Sequence, residues 1–178
     1  MPWWNKALYD TCSLITLDKI LLAHPELEHH FQGILTLATS CWAEQLRRDT
    51  AARLQPRVTC LEGPAAPDLA RILATTCLPK ALAQVDTLVF ATAVHYGLTV
   101  VTGDQRLAQA VSRGGLPVGN VALILQTLVI RRVLSEAKCN ALLAALVQRR
   151  EYLLPPDLPQ TWATLRHYTF LSPGRKSV

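Results

Sequence analysis

With 178 residues, half of them hydrophobic and 17% charged, the chain is long enough for one domain with a real core and too apolar to be disordered. Glycine is too sparse for a collagen, no heptad persists, and no apolar run approaches the roughly 20 residues needed to span a bilayer. The net charge of +5 favours polyanionic partners, nucleic acid among them, without requiring one.

The first residues, Met1-Pro2-Trp3-Trp4-Asn5-Lys6, lack the basic-then-apolar plan of a secretory signal, so a cytoplasmic protein is expected. Ala7–Tyr9 reads as a buried strand that ends at Asp10. A helix follows from Thr16 to about Phe31, broken or kinked at Pro25. Gly33–Ala38 is a second strand, and Ser40 is placed to cap a helix over Cys41–Arg48. Arg57–Leu61 is a short third strand, 63–67 a loop, and Asp68 to about Cys77 a helix with Leu69, Ile72 and Leu73 on one face.

Pro79 opens the next segment, in which Leu82, Val85, Val89 and Ala93 recur at helical spacing. Gly97 stands where a helix end favours a left-handed residue. The β-branched run Leu98–Val101 suits a central parallel strand. Gln105–Arg113 is a helix closed by Gly114, and Leu116–Val121 a weak edge strand, since Pro117 lacks a backbone donor. Two helices, 122–130 and 135–150, complete a domain of residues 1–155. Residues 156–178 form a tail whose Trp162, Tyr168 and Phe170 pack onto the domain or a partner. Alternating apolar strands and helices predict an α/β protein, a three-layer α/β/α arrangement around a mainly parallel sheet.

Five cysteines, widely spaced and without a C-x-x-C pair, read as buried free thiols rather than a zinc site or disulfide framework. The informative residues are acids that interrupt apolar sequence. Asp10 follows the first strand, Glu44 lies in the first turn of the helix after the second, Asp86 sits inside an apolar helix, and Asp104 follows Val101 through Thr102 and Gly103. Singly, each has a plain structural reading, as a turn residue, a cap or a solvated helix edge. In a parallel sheet, however, all four reach the carboxyl edge, where such folds bind ligands. Ionised carboxylates gathered there repel one another, and a divalent cation removes that penalty. Hard oxygen donors select Mg²⁺ or Mn²⁺, which activate water for phosphodiester hydrolysis.

Tyr9-Asp10-Thr11-Cys12-Ser13-Leu14-Ile15 resembles the opening strand of PIN domains. Val85–Ala93 followed by Gly97-Leu98-Thr99-Val100-Val101-Thr102-Gly103-Asp104 resembles their second half: acid, helix, glycine, strand, T-x-D. The similarity covers about residues 6–120 and is nearest to VapC-like toxins and stand-alone bacterial PIN ribonucleases. The resemblance implies a PIN-like, Rossmann-like fold and a metal-dependent endoribonuclease, the toxin of a toxin–antitoxin pair. It implies a catalytic tetrad of Asp10, Glu44, Asp86 and Asp104. Of these, Asp10, Asp86 and Asp104 would hold metal, while Thr11, Ser13 and Thr102 would hydrogen-bond the carboxylates or a metal-bound water. Glu26, Glu28 and Glu62 are substitutes for Glu44. Gln105 and Arg106 stand where many relatives carry a further acid. The same resemblance implies an antitoxin partner and a homodimer.

Arginine pairs at 47–48, 131–132 and 149–150 are either RNA-backbone contacts or solvated helix faces, and Arg47 and Arg48, just past Glu44, are the first candidates. Trp3 and Trp4 read as a hydrophobic plug before a base-stacking pair. The rival reading is a non-catalytic PIN-like module that binds RNA or protein.

Overall fold

A computed structural model describes residues 2–37, 48–76, 78 and 82–170, without the side chain of Arg48. It divides into two compact units, 1–119 and 120–178, so residues 120–155 group with the tail rather than with the sheet.

The first unit is built on five parallel strands: β1 (Leu8–Tyr9), β2 (Ile34–Leu37), β3 (Val58–Leu61), β4 (Val100–Val101) and β5 (Val118–Gly119). Their order is β3-β2-β1-β4-β5. The register sets Leu8 beside both Leu35 and Val100, and Val100 beside Val118, so one face of the sheet carries an apolar row. That face packs against α3 (Ala66–Thr75), α4 (Gln84–Tyr96) and α5 (Gln105–Arg113), with Ile72, Val89, Phe90, Leu107 and Val111 in the shared core. Alternation turns Tyr9, Thr36 and Val101 to the other face. Right-handed crossovers put α1 (Thr11–Ala23) and α2 (Arg48–Leu54) there, giving the expected three-layer α/β/α arrangement. The chain winds outward from β1 in one direction and from β4 in the other. The strand order therefore reverses between these two neighbours, and a crevice opens at their carboxyl ends.

Several elements differ from expectation at their ends. The first helix begins at Thr11 because Asp10 caps it, accepting from the Ser13 N–H, and it stops at Ala23 before Pro25. Residues Pro25–His30 form a separate 3-10 turn, with proline at a position whose N–H has no helical partner. Helix α3 starts at Ala66, since Pro67 fits the first turn of a helix rather than a loop. Helix α4 starts at Gln84, which puts Asp86 in its first turn, not its interior. It ends as expected on Gly97, at φ 65°. The expected helix over 41–48 and its cap Ser40 lie almost wholly outside the described residues; α2 begins where that helix was to end.

Trp4 is buried, with its indole N–H donating to the His30 carbonyl at 3.0 Å and its ring tilted against Phe31. It is the plug that the sequence suggests. Trp3 lies over Gly119, where a β-carbon would come within 2.3 Å of the indole ring. The cysteines depart from expectation: Cys139 is buried, but Cys12 and Cys60 are exposed. Cys60 lies on the outer strand β3, whose middle residues have no layer over them, and Cys12 faces outward from the first turn of α1. Cys41 and Cys77 lie outside the described residues.

The second unit contains α6 (Val121–Ile130), α7 (Glu136–Gln148) and α8 (Trp162–Leu165). The tail folds into this unit: Leu154, Trp162, Leu165 and Phe170 are buried, and the Gln126 amide donates to the carbonyls of Leu165 and Arg166. Asn120 caps α6 and Ser135 caps α7. Both helices end in the same way. The N–H groups of Arg132 and Val133 return to Val129 and Leu128, and those of Arg150 and Glu151 to Val147 and Leu146. This closure needs a left-handed residue, usually glycine. Here it is arginine both times, at φ 59° and 56°, a conformation costing a side-chain-bearing residue on the order of 1 kcal/mol or more. Among the described residues no helix is long and apolar enough to cross a membrane.

Candidate functional site

Asp10 leaves β1 at its carboxyl end, its N–H still bound to the Val101 carbonyl of β4 at 3.1 Å. Its side chain is buried. One carboxylate oxygen, Oδ1, accepts from the Ser13 N–H at 2.7 Å, and the other, Oδ2, accepts the Thr102 hydroxyl proton. The Thr102 hydroxyl oxygen in turn accepts from the Asp104 N–H at 3.0 Å. Thr102 is fully buried, so its hydroxyl has no competing water, and the Asp104 N–H fixes which way its proton points. Threonine two residues before the acid thus ties the ends of β1 and β4 together. The Ser13 side chain adds a further hydrogen bond to Asp10, and Thr11 is buried in the same turn.

Asp104 is exposed and caps α5: its Oδ1 accepts from the N–H groups of Arg106 at 2.6 Å and Leu107 at 2.9 Å. Asp86, in the first turn of α4, is half-buried. Two of the acids therefore fill the plain structural role of helix cap, and they are also electrostatically coupled to Asp86.

Burial, then the charges of Asp104 and Asp10, push the Asp86 carboxyl above the ordinary carboxylate range. Burial is also the leading cause of an upward shift at Asp10, with Asp104 adding to it while the hydrogen bonds from Thr102 and Ser13 oppose it. Three aspartates from β1, α4 and the β4–α5 turn thus lie in one another's fields at the strand-order reversal. Among the described residues none of the three has an ion pair with a lysine, arginine or histidine.

The donor chemistry suits a hard divalent cation. Asp86 and the Oδ2 of Asp104 carry no hydrogen bond among the described residues, while both Asp10 oxygens accept hydrogen bonds, so a cation would find its most open oxygens on Asp86 and Asp104. Among the described residues no three acid, histidine or cysteine side chains close into a ready-made metal cage.

Glu44 and Arg47 lie outside the described residues, and Arg48 heads α2 with its side chain undescribed. The substitutes for Glu44 are not drawn to the aspartates. Glu28 pairs with Arg57, Glu26 with His24 Nδ1 at 3.1 Å, and neither they nor Glu62 contributes to the shifts of Asp10 or Asp86.

Sequence reasoning overlooked Asp18. It is buried on α1 and accepts from Arg53 Nε at 2.9 Å, Arg53 Nη2 at 2.5 Å and the Thr50 hydroxyl at 3.1 Å. A cavity of about 180 Å³ lies beside this pair and the Glu28–Arg57 pair. The signal was present: Asp18 interrupts Leu14–Leu22 as Asp86 interrupts its own apolar run.

No protein-family model matches the chain, and no curated protein matches it. Among solved structures it is similar to the crystal structure of PAE2754 from Pyrobaculum aerophilum, at 19% identity and a TM-score of 0.46, over 70% of this chain and 96% of that one.

Proposed function

We propose that the chain is a divalent-metal-dependent endoribonuclease of the PIN type, hydrolysing RNA phosphodiester bonds. One observation supports the reading above the others: at the strand-order reversal the charge of Asp104 adds to burial in raising the proton affinity of Asp10 and Asp86, and that of Asp10 adds to it at Asp86, with no cation of the chain paired to the three among the described residues. Such a cluster is costly unless a cation is bound. The T-x-D turn and the spacing of the three acids add the resemblance to PIN ribonucleases.

In this reading Asp86 and Asp104 hold Mg²⁺ or Mn²⁺. Asp10, locked by Thr102 and Ser13, supplies a fixed negative charge behind them and keeps the two loops in register. A divalent ion held there would supply Lewis acidity toward the phosphodiester and the attacking water. A carboxylate oxygen left unsaturated, on Asp86 or Asp104, accepts the proton of the attacking water. Glu44 completes the acidic set by the resemblance. A toxin role, with an antitoxin partner and a homodimer, follows from the same resemblance. A short neighbouring reading frame encoding a DNA-binding protein is its test.

The decisive experiment is cleavage of single-stranded RNA with Mn²⁺ by the wild type and by Asp86→Asn. Loss of cleavage in a folded variant supports the assignment, and metal-dependent cleavage persisting in it overturns the site. The double duty of Asp10 and Asp104 as helix caps favours one alternative, a non-catalytic RNA- or protein-binding module. Calorimetry separates the two: uptake of Mn²⁺ at millimolar concentration favours the nuclease, and none favours the module.

A further inference from the structure

The non-glycine residues that adopt left-handed backbone among the described residues are all cations: Lys6, Arg132 and Arg150. The two arginines occupy equivalent places, the left-handed closures of α6 and α7. Glycine, or asparagine, fills such a position with less strain.

The ordinary account of a cation there is attraction to the negative end of the helix. Each helix already has that cation in an unstrained backbone, since Arg131 and Arg149 are the C-cap residues, at φ −80° and −93°. The second arginine of each pair is surplus to helix closure. All four arginines are exposed, and none has an ion pair among the described residues. Apolar surface is exposed beside both pairs: Ile130 at 66% and Val133 next to the first, Tyr152 at 48% next to the second. Arg132 also lines an open groove of about 440 Å³ with Ile130, Leu134, Glu136 and Trp162. Its apolar walls suit a base, with the Glu136 carboxylate available to accept from a base edge. Guanidinium beside apolar or aromatic surface is the pattern that binds single-stranded nucleic acid through phosphate contacts and base stacking.

We propose that Arg131–Arg132 and Arg149–Arg150 are phosphate-contact points for single-stranded RNA, and that Arg132 and Arg150 keep strained backbone positions because their charge is used there. This rests on the RNA reading above and names where in the second unit the strand is held.

The test compares the full-length wild type with two double variants, Arg132→Gly/Arg150→Gly and Arg132→Gln/Arg150→Gln. Binding of a fluorescein-labelled single-stranded RNA of about 20 nucleotides is followed by anisotropy across a salt series, without divalent ions so that the strand stays intact. Both variants should bind roughly tenfold more weakly at about 0.1 M salt. Their log-affinity against log-salt slopes should be shallower by about 1.4, at about 0.7 per lost contact. Thermal melting should show the glycine variant at least as stable as the wild type, so weaker binding cannot be assigned to unfolding. Unchanged affinity and slope in both variants overturn this proposal. If the wild type still cleaves RNA with Mn²⁺, the nuclease reading stands without it. A wild type that neither binds nor cleaves RNA overturns both.

Discussion

Two sets of acids in the first unit, each built around one buried aspartate, are treated in opposite ways. Asp18 is surrounded by apolar residues of α1, and the chain brings Arg53 and Thr50 from α2 to meet it. Asp10 and Asp104 accept from N–H and hydroxyl donors, Asp86 lies in the field of both, and none of the three has a cation paired to it among the described residues. The first arrangement is self-sufficient and joins two helices. The second leaves negative charge uncompensated at the place where parallel α/β sheets bind ligands. A buried acid by itself says little about function; what the fold brings to neutralise it says more.

The largest expected effect breaks the aspartate cluster. Asp86→Asn should reduce Mn²⁺-dependent RNA cleavage by at least about a hundredfold, the lower range for losing an acid–base group. Asp18→Asn should leave cleavage within a few-fold of wild type. Steady-state cleavage of a labelled RNA measures both, and equal losses would erase the distinction between the two groups.

The order reverses for stability. Arg53→Ala strands the Asp18 carboxylate without its bidentate partner, whereas Asp18→Ala leaves a half-exposed guanidinium that water can solvate. Urea titrations should therefore show a larger loss for Arg53→Ala than for Asp18→Ala. Between these groups stands Thr102. Thr102→Val removes a donor from buried Asp10 and an acceptor from the Asp104 N–H, costing about 1–3 kcal/mol, while Thr102→Ser keeps both bonds and most of the stability. A valine variant as stable as the serine variant would show that the hydroxyl does not tie the two loops.

The strands and most helices were legible because their signals are local. Leu98–Val101 announced a buried strand, Gly97 a helix end, and the alternation of elements a parallel sheet. What was missed depended on partners far along the chain. Nothing near Asp18 announces Arg53, 35 residues away, whereas the bond from Thr102 to a carboxylate, 92 residues from Asp10, was expected only through the resemblance and not from local signals. Proline set two of the boundaries: Pro25 breaks the first helix, one of the two outcomes expected there, and Pro67 stands in the first turn of α3 where the sequence suggested a loop. The exposed Cys12 and Cys60 failed an expectation drawn from residue type alone, because an outer strand and a helix's outward side can hold any small residue. The aspartates were legible as a set through their spacing. Their unequal hydrogen bonding was not: both Asp10 oxygens and one Asp104 oxygen accept hydrogen bonds, while Asp86 accepts none among the described residues.

The smallest effect sharpens the comparison through pH. Asp86 has its proton affinity raised in the folded state by burial and by Asp104 and Asp10. The folded protein therefore binds more protons than the unfolded chain across the interval from the ordinary carboxylate pKa up to the raised one. By linkage, stability falls as pH rises through that interval, and the deficit is complete above it. Asp86→Asn should thus melt slightly higher than wild type at neutral pH, with the difference vanishing as the pH falls below the ordinary carboxylate range. Mn²⁺ should raise the melting temperature of the wild type at neutral pH and do so much less in Asp86→Asn, since a cation bound to the folded state offsets the same repulsion. A variant that melts lower than wild type at neutral pH, or that Mn²⁺ stabilises equally, would mean that the Asp86 charge is already compensated without a metal, as that of Asp18 is.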